Sequence, residues 1–179
     1  SVKNSHHRRS QGTSSSPEKL STDIKPVDPG SVDGASGYTP VGSVQRIAGS
    51  ITGWNDRSAI ITLVSYHPAD AARVITELRT ALKSCKGYTA GPMKATYEDV
   101  EATNDPPQGD DGVAFRLKLA LEPGDDGLKI PISVIAIRHG STLAIYKATS
   151  DTPGKLASIP SDLVNAQSKV LDAAVHTTP

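Results

Sequence analysis

The sequence contains very little cysteine: Cys85 is the only one among 179 residues. A single thiol excludes an internal disulfide and a cysteine-based zinc cluster. Aromatic residues make up only 4% of the chain, so the core has to be built mainly from Ile, Val, Leu and Ala. No apolar run approaches the roughly 20 residues of a membrane-spanning helix. The formal net charge is zero, which argues against a general nucleic-acid binder, because such proteins need a basic surplus.

The first part of the chain differs in composition from the rest. Residues 1–40 are rich in Ser, Gly and Pro and bury too little apolar surface to offset backbone ordering, about 1–2 kcal/mol per residue. The sequence therefore predicts a disordered tether over residues 1–40 and a single globular domain over residues 41–179. The chain begins at Ser1 without a signal peptide, as a processed lipoprotein lacking its lipid-bearing cysteine would. We therefore expect attachment to the membrane through an N-terminal lipid outside this sequence.

Residue periodicity predicts the elements of the domain. Ala71, Val74 and Leu78 recur at helical spacing after Pro68, which suits the first turn of a helix. Residues 113–121 alternate between apolar and other side chains, as expected for a strand with one buried face. The predicted strands cover residues 45–54, 58–66, 93–100, 113–121, 128–137 and 142–148, and the helices run from Pro68 to about Cys85 and over Ser161–Val175. This order, ββαββββα, predicts an α+β fold with a mainly antiparallel sheet and two amphipathic helices packed on one face.

Motifs that would indicate catalysis are weak. Arg138-His139-Gly140 is similar to the signature of histidine phosphatases, but it lies between two hairpin-like strands and is better explained as a turn. The two Gly-Asp-Asp-Gly repeats, at 109–112 and 124–127, lack the ligand ladder of a calcium loop. No nucleophile elbow, phosphate-binding loop, dinucleotide fingerprint or zinc-protease helix is present. We therefore predict no enzymatic activity, no cofactor and no metal.

Charge is distributed unevenly despite the overall balance. Residues 98–126 contain nine acidic and two basic side chains. One interpretation is a set of solvated loops, and the other is an acidic rim that attracts a cationic ligand. In the second case the candidate binding residues are Asp105, Asp110 and Asp111 in one loop, and Asp125 and Asp126 in a hairpin turn. The strand between these groups spans about 30 Å at roughly 3.3 Å per residue, so they cannot form one compact pocket.

Three segments resemble a known group of proteins. SAIITLVSYHPADAARVITELRTALKSCKGY, VAFRLKLAL and ISVIAIRHGSTLAIYKA are similar to the extracytoplasmic lipoproteins of actinobacteria, which in turn resemble the sensor domains of PknH-type kinases. Those sensor domains carry disulfides, whereas Cys85 has no partner cysteine here. Within the lipoprotein group, the sequence resembles the lantibiotic self-immunity lipoproteins of actinomycetes.

This resemblance implies a function. It implies a monomeric binding protein, anchored by lipid to the outer face of the cell membrane, that gives self-resistance to a lantibiotic. Such a protein would intercept a cationic or amphipathic lanthipeptide or shield the lipid-linked target of that peptide. The alternative is an extracytoplasmic sensor or scaffold module that binds an envelope component or a partner protein. In neither case do we expect nucleic acid as a partner.

Overall fold

The computed structural model of the protein describes residues 38, 40–48, 59–90, 95–121, 127–150 and 155–176. The predicted tether therefore lies outside the described residues, except for Tyr38 and Pro40. The acidic segment 122–126, which contains Asp125 and Asp126, lies outside them as well. No helix in the described part of the chain has the length and apolar character needed to cross a membrane.

The described residues form seven strands and two helices. These are β1 (Gly42–Ala48), β2 (Ala59–Ser65), α1 (Pro68–Leu82), β3 (Gly87–Ala90), β4 (Ala95–Ala102), β5 (Asp111–Ala120), β6 (Lys129–His139), β7 (Thr142–Thr149) and α2 (Ser161–His176). The predicted α+β class, the mainly antiparallel sheet and the order of the predicted elements are confirmed. The structure adds the short strand β3, whose four residues are too few to give a clear period in the sequence.

All seven strands belong to one antiparallel sheet in the order β1-β2-β7-β6-β5-β4-β3, so β1 and β3 are the outermost of the described strands. The predicted turn after Arg138 is a tight hairpin between His139 and Thr142, and Gly140 adopts a φ of 60° there. Glycine tolerates this left-handed conformation because it has no Cβ. Pro131 lies in the central strand β6, and its carbonyl accepts the N–H of Ser150. The nitrogen of Pro131 therefore lies on the side of β7 but beyond its last paired residue, so the absence of an N–H removes no hydrogen bond between the two strands.

One face of the sheet packs against α1. Phe115 and Val134 are paired across β5 and β6 and are buried together with Ile75 and Leu78 of the helix. Tyr38 also contacts this core, and its hydroxyl donates a 2.6 Å hydrogen bond to Glu77 Oε1. We call this side of the sheet the α1 face.

The other face packs against α2. Ile137 and Ala144 are paired across β6 and β7, and they are buried with Tyr146 and with Val164 of the helix. We call this side the α2 face. The prediction that both helices pack on one face is therefore wrong. The reason lies in β6 and β7, where consecutive residues are apolar, as in Ile135 to Ile137. Both sides of such strands have to be shielded from water.

Helical spacing predicts that α2 packs through Leu163, Val164, Gln167, Val170, Leu171, Ala174 and Val175, but Val170, Ala174 and Val175 are exposed. Val164 and Ser168 are 3% exposed, whereas Val170 is 64% and Val175 is 43% exposed. Val164, Ser168 and Asp172 follow one another at four-residue spacing, so one side of the helix carries both the buried apolar contact and two polar groups. Val170 lies on another side of the helix and points to solvent.

Candidate functional site

The loop that contains Asp105, Asp110 and Asp111 is held by arginines of the domain itself. Arg79 Nη2 in the last turn of α1 lies 2.6 Å from Asp111 Oδ1 and 3.5 Å from Asp105 Oδ2. The same nitrogen donates a 2.7 Å hydrogen bond to the carbonyl of Gly112. The hydrogen bond from Arg79 lowers the pKa of Asp111, and it raises the pKa of Arg79 in return. Asp111 is thus held as a carboxylate beside α1.

Asp110 joins the same loop to the β6–β7 hairpin. Its Oδ2 accepts a 2.9 Å hydrogen bond from Arg138 Nη1 and a 2.7 Å hydrogen bond from the N–H of Gly140. Gln108 of the loop donates to Asn165 Oδ1 of α2 at 2.6 Å. The loop therefore connects α1, the hairpin and α2 at one end of the sheet, which we call the Asp111 end.

The five predicted binding residues are not brought together. Asp105, Asp110 and Asp111 lie at the Asp111 end, and each has an arginine within salt-bridge distance. Asp125 and Asp126 follow the opposite end of β5 in the sequence and lie outside the described residues. Their role in ligand recruitment stays a prediction. For the first three residues, the structure shows ion pairs within the domain, in which three carboxylates share two arginines, Arg79 and Arg138.

A second group of polar side chains is buried between the sheet and α2. His139 Nδ1 lies 2.7 Å from Asp172 Oδ1, and the His139 side chain has no solvent exposure. Among the described residues, His139 Nε2, Tyr146 Oη and Ser168 Oγ are buried without a partner at full hydrogen-bond geometry. Burial raises the pKa of Tyr146 to about 12, although Ser168 interacts with the Tyr146 hydroxyl and opposes this rise. Because solvent does not reach the His139 side chain, a substrate cannot meet it in this conformation.

Sequence reasoning assigned His139 to a turn and did not find its carboxylate partner. A signal was present, since His139 continues the alternating apolar series of Ile135 and Ile137 in β6. The aspartate partner follows it by 33 residues, and only the docking of α2 brings the two together. No group of three His, Cys, Asp or Glu in the described ranges is arranged to hold a metal ion.

An apolar surface on the α1 face lies at the other end of the sheet, which we call the Leu121 end. Register places Tyr88, Tyr97, Leu119 and Ile130 in one row across β3, β4, β5 and β6. A second row contains Ala90, Ala95, Leu121 and Leu128, in which the Leu121 N–H donates to the Leu128 carbonyl. We call these eight residues the open apolar face.

The open apolar face is only partly covered. Leu121 and Leu128 are each 52% exposed, and the other six residues are half-buried. The rings of Tyr88 and Tyr97 stack with centroids 4.7 Å apart. The last turn of α1 is tied through Arg79 to Asp111, so the helix lies over the Asp111 end, whereas Leu121 and Leu128 at the other end are exposed.

Carboxylates of β4 lie behind this surface, because Glu98 follows Tyr97 and therefore points to the α2 face. Within its bounds β4 carries Glu98, Asp99 and Glu101 and no basic residue. Asp99 adopts a φ of 53° at a bulge in the pairing with β5. Lys118 approaches Asp99 to 2.8 Å, and its hydrogen bond lowers the pKa of that carboxyl group. Lys129 approaches Glu98 at the same distance. Asp99 and Glu98 are therefore paired with Lys118 and Lys129 of the same sheet.

Sequence comparisons do not assign the chain to a family: no family model matches it, and no curated protein matches it. Among solved structures, it is similar to the extracellular domain of PknH from Mycobacterium tuberculosis, with 13% identity and a TM-score of 0.49. The similarity covers 82% of this chain and 69% of that one. This degree of likeness does not transfer a function, and the resemblance to lantibiotic self-immunity lipoproteins stays a prediction.

Proposed function

We propose that this chain is a non-enzymatic binding domain that works outside the cytoplasm. In this proposal it recognises an envelope component or a partner protein through the open apolar face. The observation that carries the proposal is the exposure of Leu121 and Leu128, 52% each, next to six further apolar residues in register. Contiguous apolar surface on a folded soluble domain commonly marks an interaction site.

The extracytoplasmic location rests on the sequence resemblance of residues 58–88, 113–121 and 132–148 to exported lipoproteins. We propose that a lipid attached N-terminal to this sequence anchors the domain to the outer face of the membrane. Labelling of the native precursor with an alkyne fatty acid tests this, and we expect label in the membrane fraction. A protein recovered only from the cytosol, without label, contradicts the proposal.

Site-specific photo-crosslinking in living cells tests the binding surface. A photoreactive amino acid at Leu128 should give a discrete adduct, since this side chain lies on the open apolar face. The matched control is the same substitution at Val170, which is 64% exposed on the outer side of α2. Equal crosslinking at both positions, or none at Leu128 in cells grown with and without envelope stress, contradicts recognition through this face.

Immunity to a lantibiotic is a narrower candidate. The sequence resemblance of residues 58–88, 113–121 and 132–148 supports it, and the exposed Leu121 and Leu128 offer apolar contacts to an amphipathic peptide. The lipid-anchored protein should raise the tolerance of a sensitive host to such a peptide. Leu128→Asp should remove this protection and Val170→Asp should retain it, at equal expression and membrane attachment. Unchanged sensitivity of cells that carry the parent protein excludes the immunity function.

A further inference from the structure

Helix α2 packs on the sheet with fewer buried apolar side chains than α1. Five apolar side chains of α1 are buried, namely Ala71, Val74, Ile75, Leu78 and Leu82. In the described part of α2, Val164 is the only buried apolar side chain, and the other buried residue is Ser168. Because burial of apolar surface is the main source of stability when elements pack, α2 is held to the sheet more weakly than α1.

Polar groups occupy much of the remaining contact beneath α2. His139 Nε2, Tyr146 Oη and Ser168 Oγ are buried without a partner at full hydrogen-bond geometry. Such a group destabilises the arrangement that buries it, because it has left water without full compensation. All three groups would meet water if α2 left the sheet. They therefore favour release of the helix.

The polar contacts that tie α2 to the rest of the domain lie near solvent. His139 Nδ1 lies 2.7 Å from Asp172 Oδ1, but the Asp172 side chain is 49% exposed. Gln108 donates an exposed 2.6 Å hydrogen bond to Asn165. Water can replace the partner at Asp172 and at Asn165, so these contacts oppose release less than buried ones would.

The segment before α2 is fixed to the sheet independently of the helix. Ser133 Oγ in β6 donates a 2.8 Å hydrogen bond to the carbonyl of Ala157, and Ala157 is buried. Residues 158–160 follow without helix or strand structure, and α2 begins at Ser161. Rotation within residues 158–160 can therefore move the helix away from the sheet while Ala157 stays bound.

We propose that α2 is a detachable cover, which leaves the α2 face as a unit while the sheet and α1 stay folded. In this open state Ile137, Ala144 and Tyr146 form an accessible apolar surface, and His139 lies on the same face. A ligand that binds only the open state would raise the population of that state. This inference is independent of recognition through the open apolar face, which lies on the other side of the sheet.

Native-state hydrogen exchange, measured for each amide by NMR, tests the opening. The amides of residues 165–172 lie inside α2 and those of residues 74–80 lie inside α1, so the two helices provide a matched comparison. We expect protection factors at least a hundredfold lower in α2 than in α1, with one shared opening equilibrium across residues 165–172. Equal protection of the two helices would overturn the proposal. So would protection that declines gradually toward the end of α2, because that pattern indicates fraying.

The dependence of exchange on urea distinguishes release of the helix from smaller fluctuations, and it leaves the protein unaltered. Release exposes the surface beneath α2, so low concentrations of urea should make the opening more frequent. The effect of urea should be smaller than for the amides of β6, which exchange through unfolding of the whole domain. An opening of α2 that does not respond to urea, or that responds as β6 does, contradicts release as a unit.

Removal of the two buried hydroxyls tests the cause of the opening. Tyr146→Phe combined with Ser168→Ala replaces both groups by apolar ones and leaves neither hydroxyl behind. We expect the double variant to open at least fivefold less often than the parent. An opening that is as frequent as in the parent, or more frequent, would show that the hydroxyls do not favour release and would overturn the proposal.

Two controls accompany the double variant. Val170→Ala raises helix propensity as Ser168→Ala does, but Val170 is 64% exposed and touches none of the buried groups. A reduction of the opening as large as in the double variant would assign the effect to propensity and overturn the proposal. Ser133→Ala removes a hydroxyl that donates a hydrogen bond to Ala157, so α2 should open at least as often as in the parent. A less frequent opening in Ser133→Ala contradicts the assigned hinge.

Discussion

Shielding of the sheet on both faces leads to a quantitative prediction for Ile137. This side chain is fully buried on the α2 face, whereas Phe115 is 1% exposed on the α1 face. If α2 did not cover its own face, Ile137 would lie in water and its truncation would cost little. With the observed packing, Ile137→Ala removes buried apolar volume under α2.

The expected cost follows from the burial. Truncation of a fully buried Ile to Ala costs about 2–5 kcal/mol, and truncation of a buried Phe costs about 3–5 kcal/mol. A domain of this size has a free energy of unfolding of roughly 5–15 kcal/mol, so each variant should lose a large part of it. Because the two side chains project from opposite faces and share no partner, we expect their costs to add within about 0.5 kcal/mol.

Urea unfolding monitored by circular dichroism measures these costs for both single variants and for the double variant, if the latter still folds. Val170→Ala is the control, since Val170 is 64% exposed and its truncation should change the free energy of unfolding by less than about 0.5 kcal/mol. A loss below about 1 kcal/mol for Ile137→Ala would refute the placement of α2 on this face. A strongly non-additive double variant would refute the separation of the two cores.

Further predictions concern the Asp111 end. Gly140→Ala should cost about 1–2 kcal/mol, because its φ of 60° is left-handed. Gly109→Ala should lower the free energy of unfolding further, because its φ is 70° and a Cβ there would lie 2.5 Å from the Arg138 carbonyl oxygen. Urea unfolding of the two variants ranks their losses. A larger loss for Gly140→Ala contradicts the close packing of Gly109. Arg79 lowers the pKa of Asp111 below its ordinary value of 3.8, so this carboxylate stabilises the fold above its unfolded-state pKa and loses the effect as pH falls through the lower folded-state pKa. Asp111→Asn and Arg79→Met should therefore reduce the free energy of unfolding at pH 7. They should also make this free energy fall less steeply between pH 5 and pH 2. An unchanged slope against pH in both variants would show that the pair is not linked to folding.

The candidate binding residues show how far the sequence can predict a site. The excess of carboxylates in residues 98–126 is a property of composition, and it indicated a surface that attracts cations. Asp111 instead lies 2.6 Å from Arg79, a residue 32 positions earlier in the chain. Such pairing depends on where α1 ends over the sheet. Local sequence patterns do not predict which residues far apart in the chain become neighbours. The open apolar face was missed for a related reason: Leu121 continues the alternation of Phe115 one residue past the end of β5, yet it is 52% exposed whereas Phe115 is buried.

The sequence by itself determined the kinds of element and their order. Period-two and helical spacing are local properties, so the strand from Val113 and the helix from Pro68 were predictable without any long-range information. The tertiary structure decided which face each helix covers, which carboxylates are compensated and which apolar rows stay open. Periodicity predicts which side chains share one side of a helix or strand. It does not predict whether that side packs against another element or faces solvent. That choice is made by the packing of α1 and α2 on opposite faces of a single sheet whose central strands are apolar on both sides.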